Sequence, residues 1–302
     1  MDTAVQALGL TKRYGATTAL AGLDLEVQRG EVFGLIGPNG AGKTTVMRLL
    51  LDIIRPTAGS ATVLGHDPRE GGSALRRRIG YLPGELRLEG RTTAGELLRH
   101  FGRLSGGVAK GTIEGIAERL GLDLARHVGK LSKGNKQKVG LVQAFMHEPE
   151  LLILDEPTSG LDPLVQQEFL SLVRDAKARG QTVFLSSHVL SEIEQAADRV
   201  GVLHRGELIR LGGVEELRAG RQRRLRATVR SQPGLRAALE SMGRVRGLSL
   251  VERDGEVALT LSFEGDLDML VKTLARFEVL DLLLEEQVLE DAVIDMYRNE
   301  AS

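Results

Sequence analysis

The sequence predicts an α/β fold: a parallel sheet wound with helices over most of the chain, and a small α+β domain behind it. Two patterns carry that expectation. The stretches "EVFGLIG" (31–37), "ELLILDEP" (150–157) and "QTVFLSSH" (181–188) are short, continuous apolar runs. Such runs suit strands covered on both faces, as in a parallel sheet, rather than the alternating strands of a half-exposed one. Between them lie helical patterns, the crossovers that parallel strands require.

From the N-terminus, residues 2–30 read as short strands and turns ending at Arg29-Gly30. "EVFGLIG" is then a buried strand, and "TTVMRLLLDII" a helix with Val46, Leu49, Leu50 and Ile53 on one face. "RPTAGSATVLG" is a turn leading into a strand. Residues 92–147 read as mostly helical, broken at Gly106-Gly107 and at "LSKGN". Asp162 and Pro163 suit the N-cap and first turn of a helix ending near Gly180.

The composition shifts at the basic "RAGRQRRLR" (218–226), so the chain divides into residues 1–220 and 221–302. The second part opens with a strand, Leu225–Arg230, and a helix from near Pro233. A hairpin follows, turning at Asp254-Gly255, with Val257, Leu259, Leu261 and Phe263 alternating along its second strand. A helix (Asp266–Arg276), a strand (Val279–Leu284) and an amphipathic helix through Tyr297 complete it. The order βαββαβ is that of a ferredoxin-like domain. The last helix sets Val288, Leu289, Ala292, Val293 and Met296 on one stripe, and with no catalytic motif in this part a dimer-steadying role is expected.

Bulk properties exclude several classes. The 302 residues carry a net charge of −1, which gives no overall footprint for nucleic acid. There are no cysteines, hence no disulfides or thiolate metal sites, and six scattered histidines form no zinc-ligand spacing. The start of the chain has no signal-peptide pattern, and no window reaches ~18 uncharged apolar residues, so any membrane span must come from another polypeptide. The arginines at 76–78 and 218–226 read as solvated faces rather than lipid-binding patches.

The chemistry begins at "GPNGAGKTT", where Gly37, Pro38, Asn39, Gly40, Ala41, Gly42, Lys43, Thr44 and Thr45 join a buried strand to a helix. Glycines let backbone N–H groups curl around phosphate oxygens, and the helix directs its positive end at the same anion. Lys43 adds a point charge, and the Thr44 hydroxyl suits Mg²⁺. At the end of the strand "LLILD", Asp155 suits the same cation, and Glu156 is placed to polarise an attacking water. A phosphate loop with such a pair points to an NTPase.

The stretch "LSKGNKQKVGLVQAFMHEPELLILDEPTSGLDP" narrows the class, for here the chain resembles the ATP-binding cassette (ABC) family over roughly residues 3–217. "LSKGN" resembles that family's signature, "SGLD" (159–162) its D-loop, His188 its switch histidine and Tyr14 the aromatic that stacks on adenine. The resemblance implies a P-loop NTPase with a RecA-like parallel core, an antiparallel β subdomain and an α-helical subdomain. It further implies Mg²⁺ and two ATP molecules sandwiched in a homodimer of cassettes, each between one subunit's phosphate loop and Ser132 and Gly134 of the other. The implied setting is the cytoplasmic face of a cell membrane, on a separate permease chain and with no nucleic acid. The accessory domain and the "LED" ending resemble ATPases of the daunorubicin-resistance, ABC-2 type, which implies export of a drug, lipid or polysaccharide.

Three positions depart from the pattern: Lys133 and Asn135 in the signature, and Gly84 in "IGYLPGELRL", where the family commonly has a glutamine that touches Mg²⁺. Glu85, one residue on, is one candidate to replace it; the alternative is a metal that keeps an extra water. An importer ATPase shares every motif above. A soluble ABC ATPase of translation or DNA repair usually shows two cassettes, a coiled-coil insertion or zinc cysteines. A sensor without turnover is at odds with an intact Glu156 and His188.

Overall fold

A computed structural model describes residues 3–214, 223–243, 245–263, 265 and 267–286. The chain forms two compact units, Met1–Val214 and Glu215–Ser302. The division drawn from the sequence at 220 and the final helix through Tyr297, with its apolar stripe, lie outside the described residues.

The first unit is organised by a six-stranded sheet in the order β5-β6-β7-β3-β8-β9. These strands are β3 (Val32–Ile36), β5 (Ile79–Leu82), β6 (Leu151–Asp155), β7 (Thr182–Ser187), β8 (Arg199–His204) and β9 (Glu207–Gly213). The first five run parallel and β9 closes the edge antiparallel. Every residue of β3, β6 and β7 is buried, as the continuous apolar runs require. Phe33 of β3 and Phe184 of β7 stack in the interior, ring centroids 5.5 Å apart.

A second sheet, antiparallel in the order β2-β1-β4, packs its inner face into the same core. Its strands are β1 (Thr3–Tyr14), β2 (Thr17–Gln28) and β4 (Ala58–Val63). Where the sequence suggested several short strands over residues 2–30, one long hairpin forms, and its register shifts absorb the breaks in alternation around Gly9. Helix α1 (Lys43–Leu50) buries Val46, Met47, Leu49 and Leu50. Ile53, expected on that face, lies past the helix end and is 53% exposed.

The helices between 92 and 147 are α3 (Ala94–Leu104), α4 (Thr112–Arg119) and α5 (Lys133–Phe145), following the short α2 (Gly72–Arg77). Thr93 and Glu96 close a reciprocal capping box on α3. Ser132 caps α5, so "LSKGN" starts a helix as well as ending the preceding turn. Asp162 caps α6 (Pro163–Ala178) by accepting from the Val165 N–H at 3.1 Å, with Pro163 in its first turn. A short α7 (Leu190–Ala196) follows β7.

The second unit has β10 (Arg223–Arg230), α8 (Leu235–Glu240), β11 (Val245–Arg253), β12 (Glu256–Phe263), α9 (Leu267–Leu274) and β13 (Val279–Glu286). The sheet order β11-β12-β10-β13, antiparallel throughout, is the ferredoxin-like arrangement expected from the sequence. Val257, Leu259, Leu261 and Phe263 all enter its core.

Candidate active site

Adjacent strands β6, β7 and β3 end side by side, and the glycine-rich loop, Asp155, Glu156 and His188 follow their C-terminal ends, where open α/β sheets bind ligands. After β3 the chain turns through the phosphate loop into α1. A Cβ on Gly37 would lie 2.3 Å from the Leu203 carbonyl oxygen, so no larger residue fits there. Gly42 has φ 114°, and a Cβ on it would meet the Ala19 oxygen of the β1–β2 hairpin at 2.7 Å. Bare backbone is therefore demanded here by packing from outside the loop. Pro38 to Thr45, Ala19 and Glu156 line a cavity of about 200 Å³, and α1 opens on it with no acidic residue in its first turn.

Lys43 is buried and turns back into the loop, donating to the carbonyls of Gly37 at 2.6 Å and Pro38 at 3.3 Å. Its ammonium also lies 3.2 Å from Glu156 Oε1, an ion pair without hydrogen-bond alignment. The other Glu156 oxygen is 2.6 Å from His188 Nδ1. Lys43, Glu156 and His188 thus form one chain of contacts across three strand ends. Glu156 sits in the left-handed backbone region, φ 49°, a conformation that costs a non-glycine residue ~1–3 kcal/mol and concentrates at functional sites.

Asp155 is fully buried. Its Oδ1 accepts the Ser186 hydroxyl at 2.7 Å, and Ser186 in turn accepts the Glu156 N–H at 3.0 Å. Oδ2 has no hydrogen-bond partner, although an unpartnered buried carboxylate oxygen is costly. A Cβ on Gly84 would lie 3.0 Å from it. The hydroxyl of Tyr81 nearby is pushed above its ordinary range, first by burial and then by the Asp155 charge. An orphaned carboxylate oxygen one residue before Glu156, which lines the cavity of the threonine-bearing loop, fits Mg²⁺, a cation that takes few protein oxygens and completes its shell with phosphate and water. Among the described residues no cluster of three His, Cys, Asp or Glu suits a protein-only metal cage.

Ser132 and Gly134 line none of this cavity. Ser132 Oγ accepts the Asn135 N–H at 3.3 Å, and Gly134 packs so tightly on the D-loop that a Cβ would meet the Gly160 oxygen at 2.6 Å. Lys133 reaches the Ser159 hydroxyl at 3.3 Å. Tyr14 is not in the cavity lining either; the residue is 47% exposed, with Lys12 Nζ 5.0 Å from its ring centroid. Glu85 is exposed and paired with Arg87 at 2.9 Å, rather than turned towards Asp155. Arg78, in the basic run, pairs with Glu150.

Ser186 and Gln137 were missed by sequence reasoning. Gln137, buried on α5, donates to the carbonyls of Glu156 and Pro157 at 3.2 and 3.1 Å, supporting the strained turn. The one signal was a polar residue on the apolar side of a helix.

A strand, a glycine-rich loop, a carboxylate pair at the end of another strand of the same sheet and a helical segment whose last helix is capped by a serine together match the pattern of an ATP-binding cassette. Residues 20–159 match the ABC transporter family. The chain is 41% identical over 212 residues to the bacitracin transport ATP-binding protein of Bacillus licheniformis, covering 69% of each. It is 42% identical over 223 residues to a daunorubicin resistance ATP-binding protein of Streptomyces coeruleorubidus, 72% of this chain and 71% of that one. A solved ATP-binding subunit of an ABC transporter superposes with a TM-score of 0.67 at 32% identity, over 72% of this chain and 92% of its own. The chain belongs to the ABC transporter family, as one of its ATP-binding proteins. No helix among the described residues is long and apolar enough to cross a membrane.

Proposed function

We propose that the chain hydrolyses ATP to drive export of a drug-like molecule through a separate membrane permease, working as a homodimer on the cytoplasmic face. The observation that carries the ATPase reading is Glu156, held between Lys43 at 3.2 Å and His188 at 2.6 Å. The loop amides and Lys43 bind the phosphates. Glu156 takes a proton from a water whose oxygen attacks the γ-phosphorus, as the bond to the ADP oxygen breaks. His188 holds the carboxylate in place through its second oxygen. Thr44 and Asp155 would hold Mg²⁺, which when bound would supply charge neutralisation for the phosphates.

Export is supported by relatives named for bacitracin transport and daunorubicin resistance. The dimer reading is supported by the position of Ser132 and Gly134 outside the cavity of their own chain's phosphate loop. Tyr14, exposed on the hairpin that packs against Gly42, is the proposed adenine platform. The test is Glu156→Gln: it should bind MgATP and turn it over ~10²–10⁴-fold more slowly, the loss expected for a missing general base. Turnover equal to that of the wild type excludes Glu156 from the chemistry.

A further inference from the structure

Glu192 stands in the first turn of α7, four residues past His188, and is only 9% exposed. Its Oε2 accepts two hydroxyl hydrogen bonds, from Thr158 Oγ1 at 2.7 Å and from Ser187 Oγ at 3.0 Å. Thr158 is two residues past Glu156, and Ser187 immediately precedes His188. Ser187 Oγ also accepts the Val189 N–H at 2.9 Å, closing the turn that presents the histidine. Ser186 and Ser187, neighbours on β7, project to opposite faces: one secures Asp155, the other Glu192. A buried carboxylate is tolerated when hydrogen-bonded, and here both donors come from the two segments that must hold the reacting pair.

We propose that Glu192 is a positioning residue whose carboxylate latches the Glu156 loop to the His188 loop and thereby fixes their contact. It does not line the phosphate-loop cavity. It acts by joining the ends of β6 and β7 through Thr158 and Ser187, so that His188 Nδ1 stays at 2.6 Å from Glu156. The inference rests on the ATPase reading given above.

Its test is steady-state ATPase kinetics of the full chain with MgATP, alongside thermal unfolding of each variant. Glu192→Ala should lower kcat on the order of 10- to 100-fold, the effect of misplacing a reacting group by about an ångström, with KM for ATP within about twofold. Glu192→Gln keeps an acceptor oxygen and should recover part of the loss. Thr158→Val should behave like Glu192→Ala, and Thr158→Ser like the wild type; these two keep the test open if Glu192→Ala does not fold.

The decisive readout is a kinetic double-mutant cycle with His188→Ala. If the latch works through the Glu156–His188 contact, Glu192→Ala should cost less than about threefold once His188 is gone. An equal loss in both backgrounds, or wild-type kcat in folded Glu192→Ala and Thr158→Val, overturns the proposal. Absence of ATP turnover in the wild-type chain removes the ATPase reading itself, and wild-type turnover in Glu156→Gln removes Glu156 from the chemistry, whereas loss there with no effect of Glu192→Ala removes only the latch.

Discussion

Lys43 and Glu156 constrain each other, since the ammonium that should meet a phosphate is shared with the carboxylate that should meet water. Two outcomes follow. Lys43→Ala should weaken ATP binding roughly 10- to 100-fold by equilibrium titration, because a charged donor contributes ~1.5–3 kcal/mol. Glu156→Gln should bind ATP at least as tightly as the wild type, because neutralising the carboxylate frees Lys43 for phosphate; weaker binding would mean that the pair assists rather than competes. The position of the glycine-rich loop between β3 and α1 and of the acids at the end of β6 was legible in the sequence because the signals are local: glycine spacing, a lysine at a helix start, acids at a strand end. Ser186, Gln137 and Glu192 were not. Their roles depend on Asp155 standing opposite Ser186 in the sheet and on α5 lying under the Glu156 turn, and both relations join residues far apart in sequence.

At the scale of elements, the start of β6 is tied down by charge. Glu150 receives the guanidinium groups of Arg78 at 2.5 Å and Arg29 at 3.0 Å, joining the segments that enter β5, β6 and β3. Hydrogen bonding from Arg78, the largest cause, lowers its carboxyl from 4.5 to about 2, against an opposing effect of burial. The folded value is the depressed one, so the contribution is complete above the unfolded value and is lost as pH falls through about 2. With a side chain 44% exposed it amounts to less than ~1 kcal/mol. Glu150→Gln should accordingly lower stability at neutral pH by that amount, and the difference from the wild type should fade in acid unfolding curves between pH ~4.5 and 2. On α3 the capping box sets a second expectation: Thr93→Ala should cost ~1 kcal/mol by denaturant titration without changing nucleotide affinity. Runs such as β3, β6 and β7 were readable because burial on both faces leaves an unbroken apolar signature. The β1–β2 hairpin was not, since its register shifts scramble the period of two that marks a strand.

For the whole molecule, the relevant feature is that each unit has its own apolar core. One gathers Phe33, Phe184, Met47 and Leu50, the other Leu225, Leu259, Leu261 and Phe263. The second unit could be recognised from sequence by its hairpin turn at Asp254-Gly255, both residues at positive φ, and by the clean alternation after it. A protein with two separate interiors should absorb heat in two events rather than one. In scanning calorimetry the wild type should give a pair of endotherms, and a chain ending at Gly220 should keep only one of them. Saturation with MgATP should move that one endotherm upward, by the equivalent of ~2.7 kcal/mol at a hundredfold excess over Kd, and leave the other where it was. Nucleotide would then appear in the thermogram as a label for the interior that holds it, and the unmoved peak would measure the accessory domain by itself.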